Sequence, residues 1–156
     1  MPVEPKRVPV PRWLVRTIWR THRVVYSVTG GRGLRKPLPD RWGTLRLHTI
    51  GRRTGDERRA IVAYLDDGPD LVLMPMNGWA EPEPAWWLNL QAHPDVTVDL
   101  PDGSRAVSAH LADENERTRL WPMWVDAWKG ELDPYAANRS RQTELVILEP
   151  RSEGGP

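Results

Sequence analysis

The segment Gly51-Arg52-Arg53-Thr54-Gly55-Asp56-Glu57-Arg58-Arg59 packs four arginines, a threonine hydroxyl and two glycines into nine residues. It lies between two runs with strand-like alternation, Thr44 to Ile50 and Ala60 to Leu65, so it is expected to be a hairpin tip. Guanidinium groups there offer charge-assisted, forked donors, and a tight glycine turn is expected to leave backbone N–H groups beside them. That donor set suits a phosphate or carboxylate tail. Taken by themselves, these residues are read more simply as a solvated turn, in which Asp56 and Glu57 partly neutralise the arginines.

Other chemistry is thinly represented. Cysteine is absent, which removes disulfides, thiolate metal sites and a Cys nucleophile. His22, His48, His93 and His110 lack metal-ligand spacing, so no metal site is expected. There is no P-loop, and Gly30-Gly31-Arg32-Gly33 follows a helical pattern instead of a strand, which disqualifies it as a dinucleotide fingerprint. Glu81 and Glu83 could serve acid–base chemistry, but their Pro-rich loop favours a solvated position. Met76-Asn77-Gly78-Trp79 directly follows the third predicted strand. It reads as a plain turn, or as a set of N–H groups facing the arginine hairpin. Trp86-Trp87 opens a helix; such a pair is usually core plus rim, and a flat ligand would use the same faces.

The elements that must position these groups fit one domain of 156 residues. Residues 1–10 are expected to be irregular, 11–150 to form the domain and 151–156 a disordered tail. A helix is predicted from Pro11 to about Val28, with Trp13, Leu14, Ile18 and Trp19 beside an arginine stripe. Strands are predicted at Thr44–Ile50, Arg59–Leu65, Asp70–Met76, Val96–Leu100, Arg105–Leu111 and Glu144–Leu148. Pro84–Ala92 and Asp113–Trp128 read as helices, the second with Asp113 and Glu116 as a capping box. Short strands in hairpins tend to close into a barrel, because open edges invite aggregation.

Charge is strongly polarised. Residues 1–59 carry 15 basic and 4 acidic side chains, and residues 60–156 carry 7 and 17. The basic third suits phosphate, a polyanionic cofactor or anionic lipid; equally, the two halves could simply attract each other. No recognised nucleic-acid motif is present, so no nucleic-acid partner is expected. No apolar run reaches membrane-spanning length and no secretory signal is seen, which gives a cytoplasmic expectation. Weak peripheral membrane contact through the N-terminal helix is a minor option.

Several motifs in order carry a family resemblance. They are Leu47-His48-Thr49-Ile50-Gly51-Arg52-Arg53-Thr54-Gly55 with Arg58, then Asn77-Gly78, Pro84-Ala85-Trp86-Trp87-Leu88-Asn89-Leu90 and His93-Pro94, then Trp121-Pro122, Tyr135, Arg141 and Leu148-Glu149-Pro150. The chain resembles the deazaflavin (F420)-dependent nitroreductase family, a branch of the split β-barrel flavin and deazaflavin oxidoreductases, from about Trp13 to Pro150. The resemblance implies an α+β fold: a mostly antiparallel, six- to seven-stranded split β-barrel with an N-terminal helix and two or three further helices. It implies binding of F420, a deazaflavin with a phosphodiester and an oligoglutamate tail, with FMN the weaker alternative. The implied reaction is hydride transfer from reduced F420 to an electron-poor quinone, enone or nitro compound.

By the family pattern, Arg52, Arg53, Thr54, Gly55 and Arg58 would hold the phosphate and tail. Asn77, Gly78 and the backbone near Trp79 would complete that cradle, with Trp86 and Asn89 supporting it. Ile61, Ala63 and Met76 would lie by the ring, and Tyr135 would be the donor in the acceptor pocket; its plainer reading is a rim tyrosine. Trp79, Met76, Ala63, Lys129 and Leu132 depart from common family residues. The competing class is a barrel that binds deazaflavin, flavin or a lipid-like ligand without turnover. The chain is expected to be a monomer or homodimer.

Overall fold

The computed structural model describes residues 33–152. The expected N-terminal helix, residues 1–10 and residues 153–156 of the expected tail lie outside them; Arg151 of that tail is described, and instead of being disordered it donates from its N–H to the Ala106 carbonyl at 2.9 Å and from Nε to the Val107 carbonyl at 3.0 Å. Six strands form a closed barrel: β1 (Gly43–Ile50), β2 (Glu57–Asp67), β3 (Asp70–Leu73), β4 (Asp95–Leu100), β5 (Gly103–Leu111) and β6 (Val146–Pro150). Their order around the barrel is β1-β2-β3-β6-β5-β4, with β4 returning to β1, and every pair is antiparallel. The six-strand antiparallel barrel expected from the sequence is therefore present. Among the described residues, three α-helices accompany it: α1 (Ala85–Ala92), α2 (Glu114–Ala127) and the short α3 (Leu132–Ala136).

Alternation within the strands separates two apolar cores. Leu45 and Leu47, Val62 and Tyr64, Leu71 and Leu73, Val96, Val98 and Leu100, Val107, and Val146 and Leu148 fill the barrel, joined by Trp87 and Leu90 of α1. The opposite faces of β2, β3 and β6 supply Leu65, Val72 and Ile147 to a second core, covered by Leu120, Trp124 and Ala127 of α2 and Leu132 of α3. Asp113 caps α2 as predicted. Its carboxylate accepts from the Glu116 N–H at 2.8 Å, and Glu116 accepts from the Asp113 N–H at 2.9 Å.

The boundaries differ where backbone chemistry overrides pattern. β3 stops at Leu73, short of Met76, because the chain turns out of the sheet through Pro75, which has no N–H for a ladder. β2 begins at Glu57 and continues to Asp67, so the turn into β3 is only Gly68-Pro69, with Gly68 at a φ of 59°. β6 starts two residues later than predicted and pairs Pro150 with Val107. Among the described residues, no helix is long and apolar enough to cross a membrane.

Candidate functional site

The β1–β2 hairpin is closed by its own backbone. The Gly51 N–H donates to the Asp56 carbonyl at 2.7 Å, and the Gly55 N–H donates to the Gly51 carbonyl at 2.8 Å, with Gly55 at a φ of 77° that favours glycine. The Asp56 N–H donates to Thr54 Oγ1 at 3.3 Å. The tight turn thus uses the N–H groups of Gly51, Gly55 and Asp56 and Asn89 takes that of Arg52, while those of Arg53 and Thr54 have no acceptor among the described residues. What the hairpin presents outward is guanidinium. Arg52, Arg53, Arg58 and Arg59 are all exposed. Arg58 is tied to Asp56 only loosely, at 4.0 Å, and Arg53 has no partner among the described residues.

Helix α1 anchors this hairpin from below. Asn89, 4 % exposed, accepts from the Arg52 N–H at 3.2 Å and from Arg52 Nη1 at 3.1 Å. Its amide Nδ2 donates to Thr49 Oγ1 at 3.3 Å. Trp87 of the same helix donates through Nε1 to Glu144 at 2.9 Å. Trp86 packs against the barrel core and is half-buried.

A polar network braces the root of the hairpin. Both ring nitrogens of His48 lie against carboxylates, Glu57 at 2.9 Å and Asp99 at 2.7 Å. Asp99 also accepts from Arg46 Nε and Ser104 Oγ, each at 2.7 Å. Burial pushes the Asp99 carboxyl up, but the hydrogen bonds from Ser104, His48 and Arg46 outweigh it and hold the group at about 2. His48 is therefore a structural brace within an ion network. Among the described residues, no three metal-ligating side chains converge.

The second part of the site follows β3. Asn77, Gly78 and Trp79 form one turn of 3-10 helix with φ values of 45°, 59° and 64°, three consecutive left-handed residues. For asparagine and above all for tryptophan that conformation costs about 1–2 kcal/mol per residue. Backbone strain of this kind gathers at ligand sites, where surrounding structure enforces it. The Trp79 N–H donates to the Met76 carbonyl at 2.8 Å, and Asn77 Nδ2 donates to the Pro82 carbonyl at 2.7 Å.

Trp79 itself is 7 % exposed. Its ring stacks on Tyr135 at 6.3 Å between centroids and meets Trp128 edge-on at 5.6 Å. Trp128 lies 5.5 Å from Tyr135 and 5.0 Å from Trp42. Ala63 and Met76, like Trp42, Trp128 and Tyr135, pack against the second core, to which Trp79 belongs. The Trp128 Nε1–H is buried without a partner among the described residues. The Tyr135 hydroxyl likewise has no hydrogen-bond partner there.

The structure thus gathers the sequence-predicted residues into two groups. Arg52, Arg53, Thr54, Gly55, Arg58 and Asn89 belong to the hairpin and its anchor. Ala63, Met76, Asn77, Gly78, Trp79 and Tyr135 belong to the aromatic side. Ile61 lies on β2 between them, opposite Arg46. Tyr64, next to Ala63 in sequence, faces away from the aromatic cluster: it points into the barrel, and burial pushes its phenol up to about 12. Glu83, expected in solvent, is only 11 % exposed and is paired with Arg139 at 3.1 Å and Arg141 at 3.4 Å. Sequence reasoning missed Trp42, Trp128 and Arg139. A Trp-rich composition without phenylalanine hinted at the first two; no pattern marks a buried arginine.

The closed antiparallel barrel with its accompanying helices is a split-barrel fold. A solved F420-H2 dependent reductase, FDR-A, shares this fold with a TM-score of 0.61, covering 68 % of this chain and 93 % of its own at 21 % identity. The family model for F420H(2)-dependent quinone reductases matches residues 18–150, and the chain belongs to that family. Rv3178 of Mycobacterium tuberculosis, which carries the family's name, is 32 % identical over 121 residues, 78 % of this chain and 98 % of its own. The F420H(2)-dependent quinone reductase Rv1261c of the same organism is 28 % identical over 145 residues, 89 % of this chain and 97 % of its own. The chain is accordingly an oxidoreductase dependent on F420. The expected deazaflavin resemblance holds, with a family description that names quinones and not nitro compounds.

Proposed function

We propose that the chain reduces a quinone with reduced F420, and that the hairpin arginines hold the cofactor's anionic tail while the Trp79–Tyr135 cluster receives its ring and the acceptor. The observation that carries this reading is the contrast between the start of β2 and its middle. The start, with the hairpin before it, bears exposed arginines, of which Arg53 has no partner among the described residues and Arg58 only a loose one. The middle packs through Ala63 against the second core, which includes Trp79. The five residue steps from Arg58 to Ala63 span about 17 Å, a suitable length for a long cofactor with a charged handle.

The residues present suit that cofactor. Arg53, Arg58 and the Thr54 hydroxyl supply charge-assisted donors to phosphate and glutamate carboxylates. Asn89 fixes the Arg52 backbone, so the hairpin binds without first having to be ordered. Asn77, Gly78 and the turn around Trp79 supply backbone close to the ring, while Ile61, Ala63 and Met76 give an apolar wall. Trp86 supports the anchor helix against the barrel. Reduced F420 supplies a hydride when bound. The chain's own work is to orient, to exclude water with indole rings, and to place the Tyr135 hydroxyl where a quinone oxygen gains negative charge.

The test is titration of the protein with F420, followed by steady-state oxidation of reduced F420 with menadione, enones and nitroaromatics. Binding together with turnover of the quinone supports the reading. Tight binding without turnover on any acceptor favours a cofactor-holding barrel, in which the packed Trp79 blocks the acceptor. Absence of binding removes the site.

A further inference from the structure

We propose that Arg139 is the positioning residue of the cofactor cradle: its guanidinium closes the loop from Pro75 to Glu83 and so fixes the left-handed Asn77-Gly78-Trp79 turn against Tyr135. This rests on the site reading above. Arg139 follows α3, and its side chain is fully buried. Each of its five N–H groups has an acceptor. Nε donates to the Ala80 carbonyl at 2.9 Å. Nη1 donates to the Pro75 carbonyl at 3.0 Å and to Thr143 Oγ1 at 3.2 Å. Nη2 donates to the Pro82 carbonyl at 3.4 Å and to Glu83 Oε1 at 3.1 Å.

Four of those five acceptors lie on one loop, and they flank the strained turn on both sides: Pro75 before it, Ala80, Pro82 and Glu83 after it. A planar fork that grips both ends of a loop sets the distance between them. That distance decides where Trp79 stands, because Ala80 is its neighbour and Met76 its hydrogen-bond partner. The next two residues reinforce the clamp. Ser140 donates from its N–H and its hydroxyl to the Glu81 carboxylate, both at 2.8 Å, and Arg141 Nη2 donates to the Glu81 carbonyl. Lysine could not reproduce the grip, since its three N–H groups radiate from one nitrogen. The buried charge of Arg139 is met by Glu83, so removal of Glu83 leaves that charge without its carboxylate, whereas Glu83 also has Arg141 at 3.4 Å.

The experiment compares Arg139→Lys and the milder Glu83→Gln with the wild-type chain and with Trp79→Phe. Three readouts are taken well below melting: far-ultraviolet exciton dichroism of the Trp79–Trp128 pair, the F420 dissociation constant, and KM for reduced F420 against kcat with menadione. Arg139→Lys is expected to keep a cooperative melt, to lose the same exciton signal that Trp79→Phe loses, to weaken F420 binding about tenfold, and to raise KM more than it lowers kcat. Glu83→Gln is expected to move each readout the same way by about threefold. A lowered melting temperature with exciton signal and F420 binding unchanged makes Arg139 merely structural and overturns the proposal. If Arg139→Lys does not fold, Glu83→Gln decides: unchanged readouts there overturn it too. Should the wild-type chain itself fail to bind F420, the site reading falls, and an exciton signal retained in Arg139→Lys would then count separately against the clamp.

Discussion

Asn89 accepts two hydrogen bonds from one residue, the backbone N–H and the guanidinium Nη1 of Arg52, at 3.2 and 3.1 Å. A buried amide on a helix is thereby coupled to the tip of a hairpin 37 residues away in sequence. Its other end, donating to Thr49, fixes which way the amide points. The binding surface and the barrel core consequently share one side chain.

Asn89→Ala is expected to destabilise the fold by about 1–3 kcal/mol, because it leaves the Arg52 N–H and the Thr49 hydroxyl without their buried partner. Urea unfolding measures the loss directly. F420 affinity is expected to fall as well, since the hairpin then has to be ordered on binding. An unchanged unfolding midpoint would show that water replaces the amide at no cost.

Arg53→Ala and Arg58→Ala are expected to behave in the opposite way. Both side chains are exposed and neither holds a close ion pair within the described residues. The melting temperature should hardly move, while each substitution weakens F420 binding by about 1–3 kcal/mol through a lost charge-assisted hydrogen bond. Binding to the wild-type chain should also weaken as salt rises, and each variant should show a shallower salt dependence. Equal salt slopes in all three proteins would place the anionic tail elsewhere.

Tyr135→Phe addresses the acceptor side. The ring keeps its contacts with Trp79 and Trp128, so folding and F420 binding are expected to be unaltered. Removing a hydroxyl that stabilises a developing oxyanion should lower kcat with menadione by about tenfold to a hundredfold. A kcat within about twofold of wild type would leave Tyr135 as packing alone.

The barrel is legible in the sequence because six runs alternate and glycine or proline turns separate them. Leu45 and Leu47, or Val96 and Val98, announce an inward face without help from tertiary context. The hairpin is legible for the same reason, as local turn chemistry around Gly51 and Gly55. What resists reading is anything that tertiary contacts decide. No local pattern says that Arg139 is buried while Arg141 beside it is exposed, or that Trp79 adopts a left-handed backbone. The fate of the hairpin N–H groups escapes sequence reading because the number a closed turn consumes depends on its hydrogen bonds, which composition does not specify. Glu83 escapes it because a Pro-rich loop normally runs in solvent, and here the buried arginine draws it inward.

Acid should weaken the fold through Asp99. The carboxyl is 19 % exposed and sits at about 2, below its ordinary 3.8, so the folded chain prefers it ionised more strongly than the unfolded chain does. A depressed carboxylate contributes stability that is complete above the unfolded value and fades as pH drops toward the folded one. The contribution is about 2 kcal/mol at neutral pH, and it should disappear between about pH 4.5 and about pH 2. Other groups titrate nearby: Glu57 is held low, chiefly by its hydrogen bond with His48, whereas burial pushes Asp66 up. The difference between the wild-type chain and Asp99→Asn isolates the one carboxyl. Urea unfolding of both proteins should give a gap of about 2 kcal/mol at neutral pH that closes as the pH approaches about 2.5. A gap that stays constant with acid would mean that the amide of the Asp99→Asn variant is penalised for its shape, and that the Ser104, His48 and Arg46 hydrogen bonds to Asp99 do not depend on its charge.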